Sequence, residues 1–149
     1  MPTPNWQCIL APTDRSAFSE KAVEYARALA KTFGAELHVL RVIDDAEKAA
    51  SEYPVTGVLD SSEPQDDYHR WLGELVGDTG DVRRIEVVQV GADVPAAILR
   101  YVEHNHIDLV VMATHGRTGF THLLMGSVAE QVVRGAACAV LTLRPEALK

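Results

Sequence analysis

The loop that begins after Ala113 has a composition suited to binding phosphate. It contains Gly116, Arg117 and Gly126, and Ser127 follows at the start of a helical pattern. Glycines let the backbone approach a ligand closely, and an arginine can contact a phosphate through two hydrogen bonds. The first N–H groups of a helix and its dipole also favour an anion. The spacing matches neither a P-loop nor a dinucleotide fingerprint, so a tight turn before a capped helix is the alternative.

A second group of polar residues follows an apolar run near the N-terminus. Residues 8–11 have the character of a buried strand, and Thr13 and Asp14 come shortly after it. A carboxylate at the end of such a strand can accept hydrogen bonds from ribose hydroxyls. Asp14 could instead cap the first helix, just as Ser127 could cap the last helix through the S-x-x-E pattern that ends at Glu130.

The other reactive side chains form no recognisable catalytic or metal site in the sequence. His115 lies beside the glycine-containing loop, where hydrogen bonding is a simpler expectation than acid–base catalysis, and His104 and His106 fit the end of a helix. No Ser–His–Asp order and no carboxylate pair stands out. Cys8 and Cys138 lie in apolar runs, so we expect two buried thiols with neither a disulfide nor a bound metal.

The elements that must position these residues alternate along the chain. Apolar runs of strand character fall at residues 8–11, 37–43, 82–90, 107–113 and 139–143, and amphipathic helical patterns separate them. An irregular stretch covers residues 44–64. This order predicts one α/β domain over residues 1–149, with a doubly wound open parallel five-stranded sheet and helices on both faces. Ligands bind outside the carboxyl ends of the strands in such sheets, which is where Asp14 and Gly116 lie.

Charge and hydropathy limit the classes of function. The 149 residues carry a net charge of −7, so a protein that coats nucleic acid is not expected. Residues 44–81 hold 11 acids and two bases, a net −9, which leaves +2 for the remainder of the chain and favours that remainder for an anionic ligand. The sequence has no apolar run long enough for a membrane span and no secretory signal pattern, which favours a cytoplasmic protein.

The spacing of the glycines resembles that of the universal stress protein family. The nucleotide motif of that family is G-x-x-G, nine residues, then G followed by Ser or Thr. Gly116 is followed by nine residues and then by Gly126 and Ser127, while Ala113 occupies the position of the first glycine. Residues 9–14, 108–112 and 139–143 are similar to three of the family's strands.

The resemblance implies a Rossmann-like fold of the adenine nucleotide alpha hydrolase type that binds ATP with Mg²⁺. By position, the contacts to adenine and ribose would fall on Pro12, Thr13, Asp14, Val42 and Met112. The contacts to phosphate would fall on Gly116, Arg117, Gly126, Ser127 and Val128, and Ala113 would lie where the backbone approaches the ribose closely. The family also implies a homodimer formed through the last strand, Ala139 to Leu143.

These observations favour an ATP-binding regulatory protein that acts as a homodimeric switch in a stress response through an unknown protein partner. A slow ATPase is one alternative. Phosphoryl transfer needs a carboxylate for the metal and a group that positions water, and Asp14 is the only carboxylate expected near the site. A nucleotide-free dimeric interaction module is the other alternative, because an apolar edge strand invites pairing with a second chain.

Overall fold

A computed structural model of the chain describes residues 3–50, 58–59, 67–116 and 125–148. The strands are β1 (Cys8–Thr13), β2 (Glu36–Ile43), β3 (Val58–Leu59), β4 (Arg84–Val90), β5 (Leu109–Ala113) and β6 (Ala139–Leu143). The helices are α1 (Ala17–Phe33), α2 (Asp45–Ala50), α3 (Asp67–Val76), α4 (Val94–His104) and α5 (Ser127–Gly135), and a short 3-10 helix covers Pro145–Leu148.

The strands form one sheet in the order β3-β4-β2-β1-β5-β6. The five longer strands pair in parallel, so the predicted doubly wound parallel sheet is confirmed. The two-residue β3 adds an antiparallel strand beside β4. Both β3 and α2 lie in the stretch that was expected to be irregular, because elements of two and six residues are too short for a hydrophobic period.

Alternate residues of the central strands supply two hydrophobic cores, one on each face of the sheet. Ile9 of β1 packs in the core that also contains the alanine-rich stripe of α1, while its neighbour Leu10 packs in the core formed with α4 and α5. Both side chains are completely buried. Successive strand side chains point to opposite faces, so a strand covered on both faces is apolar throughout.

The observed N-caps of α1 and α5 answer whether Asp14 and Ser127 are capping residues. Ser16 is the N-cap of α1 and accepts a hydrogen bond from the Ser19 N–H, so Asp14 is not the cap. The expectation that Ser127 caps α5 is wrong. Gly126 is the N-cap, without a side-chain cap hydrogen bond, and Ser127 is already helical. The reason is that the Gly126 N–H bonds the Thr114 carbonyl at 2.6 Å, which begins the helix one residue earlier than the S-x-x-E pattern suggests.

Two other helix ends have caps of common types. Gly34 ends α1 in the left-handed conformation, with φ 65°, and donates its N–H to the Ala30 carbonyl. Asp93 caps α4 by accepting the Ala96 N–H at 3.0 Å. In the described part of the chain, no helix has both the length and the apolar content needed to cross a membrane.

Candidate functional site

A cavity of about 260 Å³ opens at the carboxyl ends of β1 and β5. The chain leaves β1 toward β2 on one side, whereas β5 and β6 lie on the other side, so the strand order reverses between β1 and β5. This switch point is where doubly wound sheets bind ligands. The volume is near the lower end of the ~300–1,000 Å³ that is common for small-molecule pockets.

The structure brings together almost all of the residues that the sequence singled out for nucleotide binding. The cavity is lined by ten of them, namely Pro12, Thr13, Asp14, Val42, Met112, Ala113, Gly116, Gly126, Ser127 and Val128. Arg117, the eleventh, lies outside the described residues. These residues come from four separate segments of the chain, at the ends of β1, β2 and β5 and the start of α5, and they meet because β1 lies between β2 and β5.

The turn after β1 fixes the position of Asp14. One oxygen of its carboxylate, Oδ1, accepts the Ser16 N–H at 3.0 Å, and the Asp14 N–H donates to the Ser19 hydroxyl at 3.3 Å. Arg15 adopts a left-handed conformation with φ 67°, which is uncommon for a residue other than glycine. The second oxygen, Oδ2, occupies the space that a Cβ at Gly116 would need. Glycine at 116 therefore lets this carboxylate lie beside the backbone that follows β5.

The N-terminus of α5 forms the opposite side of the cavity. Gly126 begins the helix, and Ser127 and Val128 belong to its first turn. Because Gly126 supplies no capping side chain, the N–H groups of this turn lack the usual side-chain acceptor among the residues that the structure describes. A Cβ at Gly126 would lie 3.0 Å from the Thr114 carbonyl oxygen, so glycine permits close contact between the two loop segments.

The cavity also contains a buried ion pair that the sequence interpretation missed. The Arg41 guanidinium pairs with Glu47 and donates through Nη1 to the Val42 carbonyl at 2.8 Å. Arg41 is only 3% exposed, and within the described part of the chain its Nε–H has no hydrogen-bond partner. The available signal was a charged residue between the apolar residues Leu40 and Val42 of β2.

The expectation that Asp14 is the only carboxylate near the site is wrong. Asp44 and Glu47, at the beginning of the acidic segment, also line the cavity. Asp44 accepts the Glu47 N–H at 2.8 Å and so begins α2. The acidic segment therefore contributes to the cavity wall, because α2 follows the carboxyl end of β2 directly.

The histidines beside the sequence motifs have structural partners. His115 is buried, and its Nδ1 lies 2.8 Å from the Thr114 hydroxyl, which confirms the expected hydrogen bond. His104 is the last residue of α4, and His106 has a φ of 52° in the turn that follows. The structure thus confirms that these two histidines mark the end of a helix.

A doubly wound α/β protein with a ligand cavity at its switch point is the class that the fold and the site define. Within that class, the chain belongs to the universal stress protein family, whose sequence profile matches residues 5–144. It is 31% identical to universal stress protein MJ0531 of Methanocaldococcus jannaschii, over 91% of this chain and 81% of that relative. It is 27% identical to MJ0577 of the same organism, over 91% of this chain and 93% of the relative.

Solved structures support the same fold. The universal stress protein UspA from Lactobacillus plantarum has a TM-score of 0.70 at 22% identity, with 95% of this chain and 100% of that chain covered. A universal stress protein solved in complex with cAMP has a TM-score of 0.68 at 21% identity, with 95% and 98% covered. Since both identities are low, these likenesses establish the fold alone.

Proposed function

We propose that this universal stress protein binds an adenine nucleotide, ATP with Mg²⁺, in the cavity between β1, β5 and α5. The main support is the convergence of ten motif residues on one cavity that ends at a helix N-terminus without a capping side chain. Family members solved in complex with cAMP and with dAMP bind adenine nucleotides.

The groups on the two sides of the cavity fit the two ends of a nucleotide. On the β1 side, Asp14 offers a carboxylate to the ribose hydroxyls, and the apolar side chains of Val42 and Met112 offer surface to the base. On the α5 side, the N–H groups of the first helical turn, with Ser127, offer donors to the phosphates. When bound, Mg²⁺ would neutralise part of the phosphate charge.

The nucleotide would act as a regulatory ligand of a homodimer. A ligand changes a protein's state only if it binds two states with different affinities, so occupancy would favour the conformation that a partner protein recognises. The dimer would form through β6, which is at the edge of the sheet and carries the partly exposed Leu141.

Calorimetric titration of nucleotide-stripped protein with MgATP tests the proposal, and AMP and cAMP are titrated in parallel. A micromolar Kd for at least one of these nucleotides is the supporting result. No heat of binding with any of them would contradict the nucleotide site and favour the nucleotide-free module.

The substitution Asp14→Asn localises the binding. Asparagine keeps the oxygen that accepts the Ser16 N–H but replaces the second carboxylate oxygen and its charge. We expect ATP affinity to fall about 10- to 100-fold, because a hydrogen bond to a charged group contributes about 1.5–3 kcal/mol.

Asp78→Asn is the matched control for this substitution. Asp78 also accepts the N–H of the residue two positions later, Gly80, at 2.8 Å, but it is exposed and does not line the cavity. Its substitution should leave ATP affinity unchanged. Equal affinities in the two variants would contradict the role assigned to Asp14.

The three acids that line the cavity make slow ATP hydrolysis the second candidate. Asp14, Asp44 and Glu47 could hold a metal or position water, but Glu47 pairs with Arg41 and Asp44 accepts a backbone N–H. We therefore rank turnover below regulation. Phosphate release at about 1 per second or faster, the low end for ordinary enzymes, would reverse this order.

A further inference from the structure

A second cluster of reactive side chains lies at the amino ends of the strands, at the opposite edge of the sheet from the cavity. Cys8 is the first residue of β1, Glu36 is the first residue of β2, and His38 follows two residues later. The parallel register pairs Cys8 with Glu36 and Leu10 with His38. Because side chains alternate along a strand, all three point to the face covered by α4.

The potential ligand atoms of these residues are close together. Cys8 Sγ lies 3.6 Å from His38 Nε2 and 3.9 Å from Glu36 Oε1, and Nε2 lies 2.6 Å from Oε1. Within the described residues, these are the side chains that form a group of three potential metal ligands. The cluster could not be predicted from the sequence, because 28 residues separate Cys8 from Glu36.

We propose that Cys8, Glu36 and His38 bind a Zn²⁺ ion. Thiolate, imidazole and carboxylate are the three side-chain ligands that zinc uses in proteins. With a Zn–S bond of about 2.3 Å and a Zn–N bond of about 2.0–2.1 Å, tetrahedral geometry places sulfur and nitrogen about 3.5 Å apart, close to the separation present here. The nitrogen–oxygen contact must widen from 2.6 Å and the sulfur–oxygen separation must shorten slightly from 3.9 Å, both by rotation of the partly exposed Glu36 side chain.

The surroundings of His38 orient it as a metal ligand. Its ring is 3% exposed, and Nδ1 lies 2.7 Å from the Tyr101 hydroxyl. At 2.6 Å from Glu36 Oε1, Nε2 donates to the carboxylate in this structure. Zn²⁺ binding would shift the ring to the tautomer that carries its proton on Nδ1, which then donates to the tyrosine oxygen while Nε2 offers its lone pair to the ion. A histidine that binds zinc usually donates its other ring N–H to such an acceptor.

The other side of the cluster gives the ion a route from solvent. Glu36 and Arg83 line a surface groove, and the Arg83 Nε lies 3.1 Å from Glu36 Oε2, the oxygen that does not contact His38. The Arg83 side chain is 77% exposed, so it can move away at little cost. Asp108 adds negative charge beside the site, where its carboxylate accepts the Cys8 N–H at 3.2 Å. With three protein ligands, a water molecule would complete the tetrahedron.

Titration of the reduced, nucleotide-free protein with Co²⁺ tests the site directly, because a cobalt–thiolate bond gives a charge-transfer band in the near ultraviolet. We expect a band that saturates at one equivalent and that Zn²⁺ abolishes. The band should be lost in Cys8→Ser and kept in Cys138→Ser, which removes the other half-buried thiol. Tyr101→Phe should weaken Zn²⁺ binding about 10- to 100-fold.

A measurement on the wild-type chain keeps the test valid if a variant fails to fold. Zn²⁺ should protect Cys8 from alkylation, and Cys138 in the same chain serves as the internal control. The absence of a charge-transfer band in the wild type would overturn the proposal. Alkylation of Cys8 that is the same with and without Zn²⁺, as is expected for Cys138, would also overturn it. The cluster would then be only a hydrogen-bonded Glu36–His38 pair beside a thiol.

Discussion

Asp14 and Gly116 depend on each other for their positions. The turn after β1 directs Oδ2 of the carboxylate toward the backbone at residue 116, where there is no Cβ to displace it. The family motif places a glycine here, and the contact with Asp14 gives a physical reason for it that does not involve the phosphates. The sequence predicted both residues as ligand contacts, but their contact with each other could be seen only in the structure.

The thiol of Cys138 offers a pH-dependent prediction at this scale. Burial, and to a lesser extent the nearby Asp108 carboxylate, raises the pKa of Cys138 above its ordinary value of 9.0. The thiolate is the reactive form, so a raised pKa reduces the reactive fraction at every pH below it. The pH midpoint for alkylation of Cys138 should therefore be higher in the folded protein than in the urea-unfolded chain. Peptide mass spectrometry measures the alkylation of Cys138 at each pH. Identical midpoints in the folded and unfolded states would contradict the prediction.

Arg41 shows where prediction from the sequence fails for a single residue. A charged residue inside a strand is unusual, but the pattern around it gives no partner, because Glu47 lies on the next helix. Removing one member of a buried ion pair leaves an uncompensated charge, which is destabilising. Arg41 and Glu47 therefore both contribute to the stability of the cavity wall. The sequence predicted that Val42 lies near the end of β2. It did not predict that the neighbouring residue, Arg41, also lines the cavity.

The helix termini could be predicted wherever one residue type decides the geometry. Gly34 ends α1 and Asp93 begins α4 through residue types that commonly do so, since a left-handed glycine and a capping aspartate each act locally. The start of α5 was not predicted, because it depends on a hydrogen bond from Gly126 to Thr114, twelve residues away in the sequence.

Ser127→Ala distinguishes ligand binding from helix capping. Because Ser127 is inside α5 and makes no cap hydrogen bond, we expect a change in unfolding free energy within about 0.5 kcal/mol, together with a several-fold loss of ATP affinity. The matched variant Ser16→Ala, at a true N-cap, should cost about 1 kcal/mol in stability. Urea unfolding and calorimetry measure the two effects. A loss of stability in Ser127→Ala as large as that in Ser16→Ala would show that the serine does act as a cap.

At the scale of the whole molecule, β6 is an edge strand that no other strand pairs with on its outer side in the described part of the chain. Along β6, Ala139 and Leu141 are exposed, whereas Val140 and Thr142 are half-buried and Leu143 is buried. We expect light scattering at micromolar concentration to give twice the chain mass of 16.3 kDa. Leu141→Lys should convert this dimer to a monomer by placing a charge at the edge.

Tyr25→Lys is the control for the dimer experiment. Tyr25 is an exposed apolar side chain on α1 rather than on the edge strand, with 44% exposure against 37% for Leu141. The dimer should persist in this variant. A mass of 16.3 kDa for the unsubstituted protein would contradict the proposed dimer.

The alternation of strands and helices was sufficient to predict the parallel sheet and the edge at which a ligand binds. The order of the strands was beyond the sequence pattern, since periodicity shows which residues form strands and not which strands become neighbours. Only the structure shows that β1 is flanked by β2 and β5.

This central place of β1 determines when the cavity becomes complete during synthesis. Two of its walls, Pro12 to Asp14 and Arg41 to Glu47, leave the ribosome before the other two, Met112 to Gly116 and Gly126 to Ala129. A nascent chain that ends before β5 has the first part of the cavity and nothing to close it. The cavity therefore needs both halves of the sheet, and a nucleotide held there would mark a chain that has been made and folded through α5.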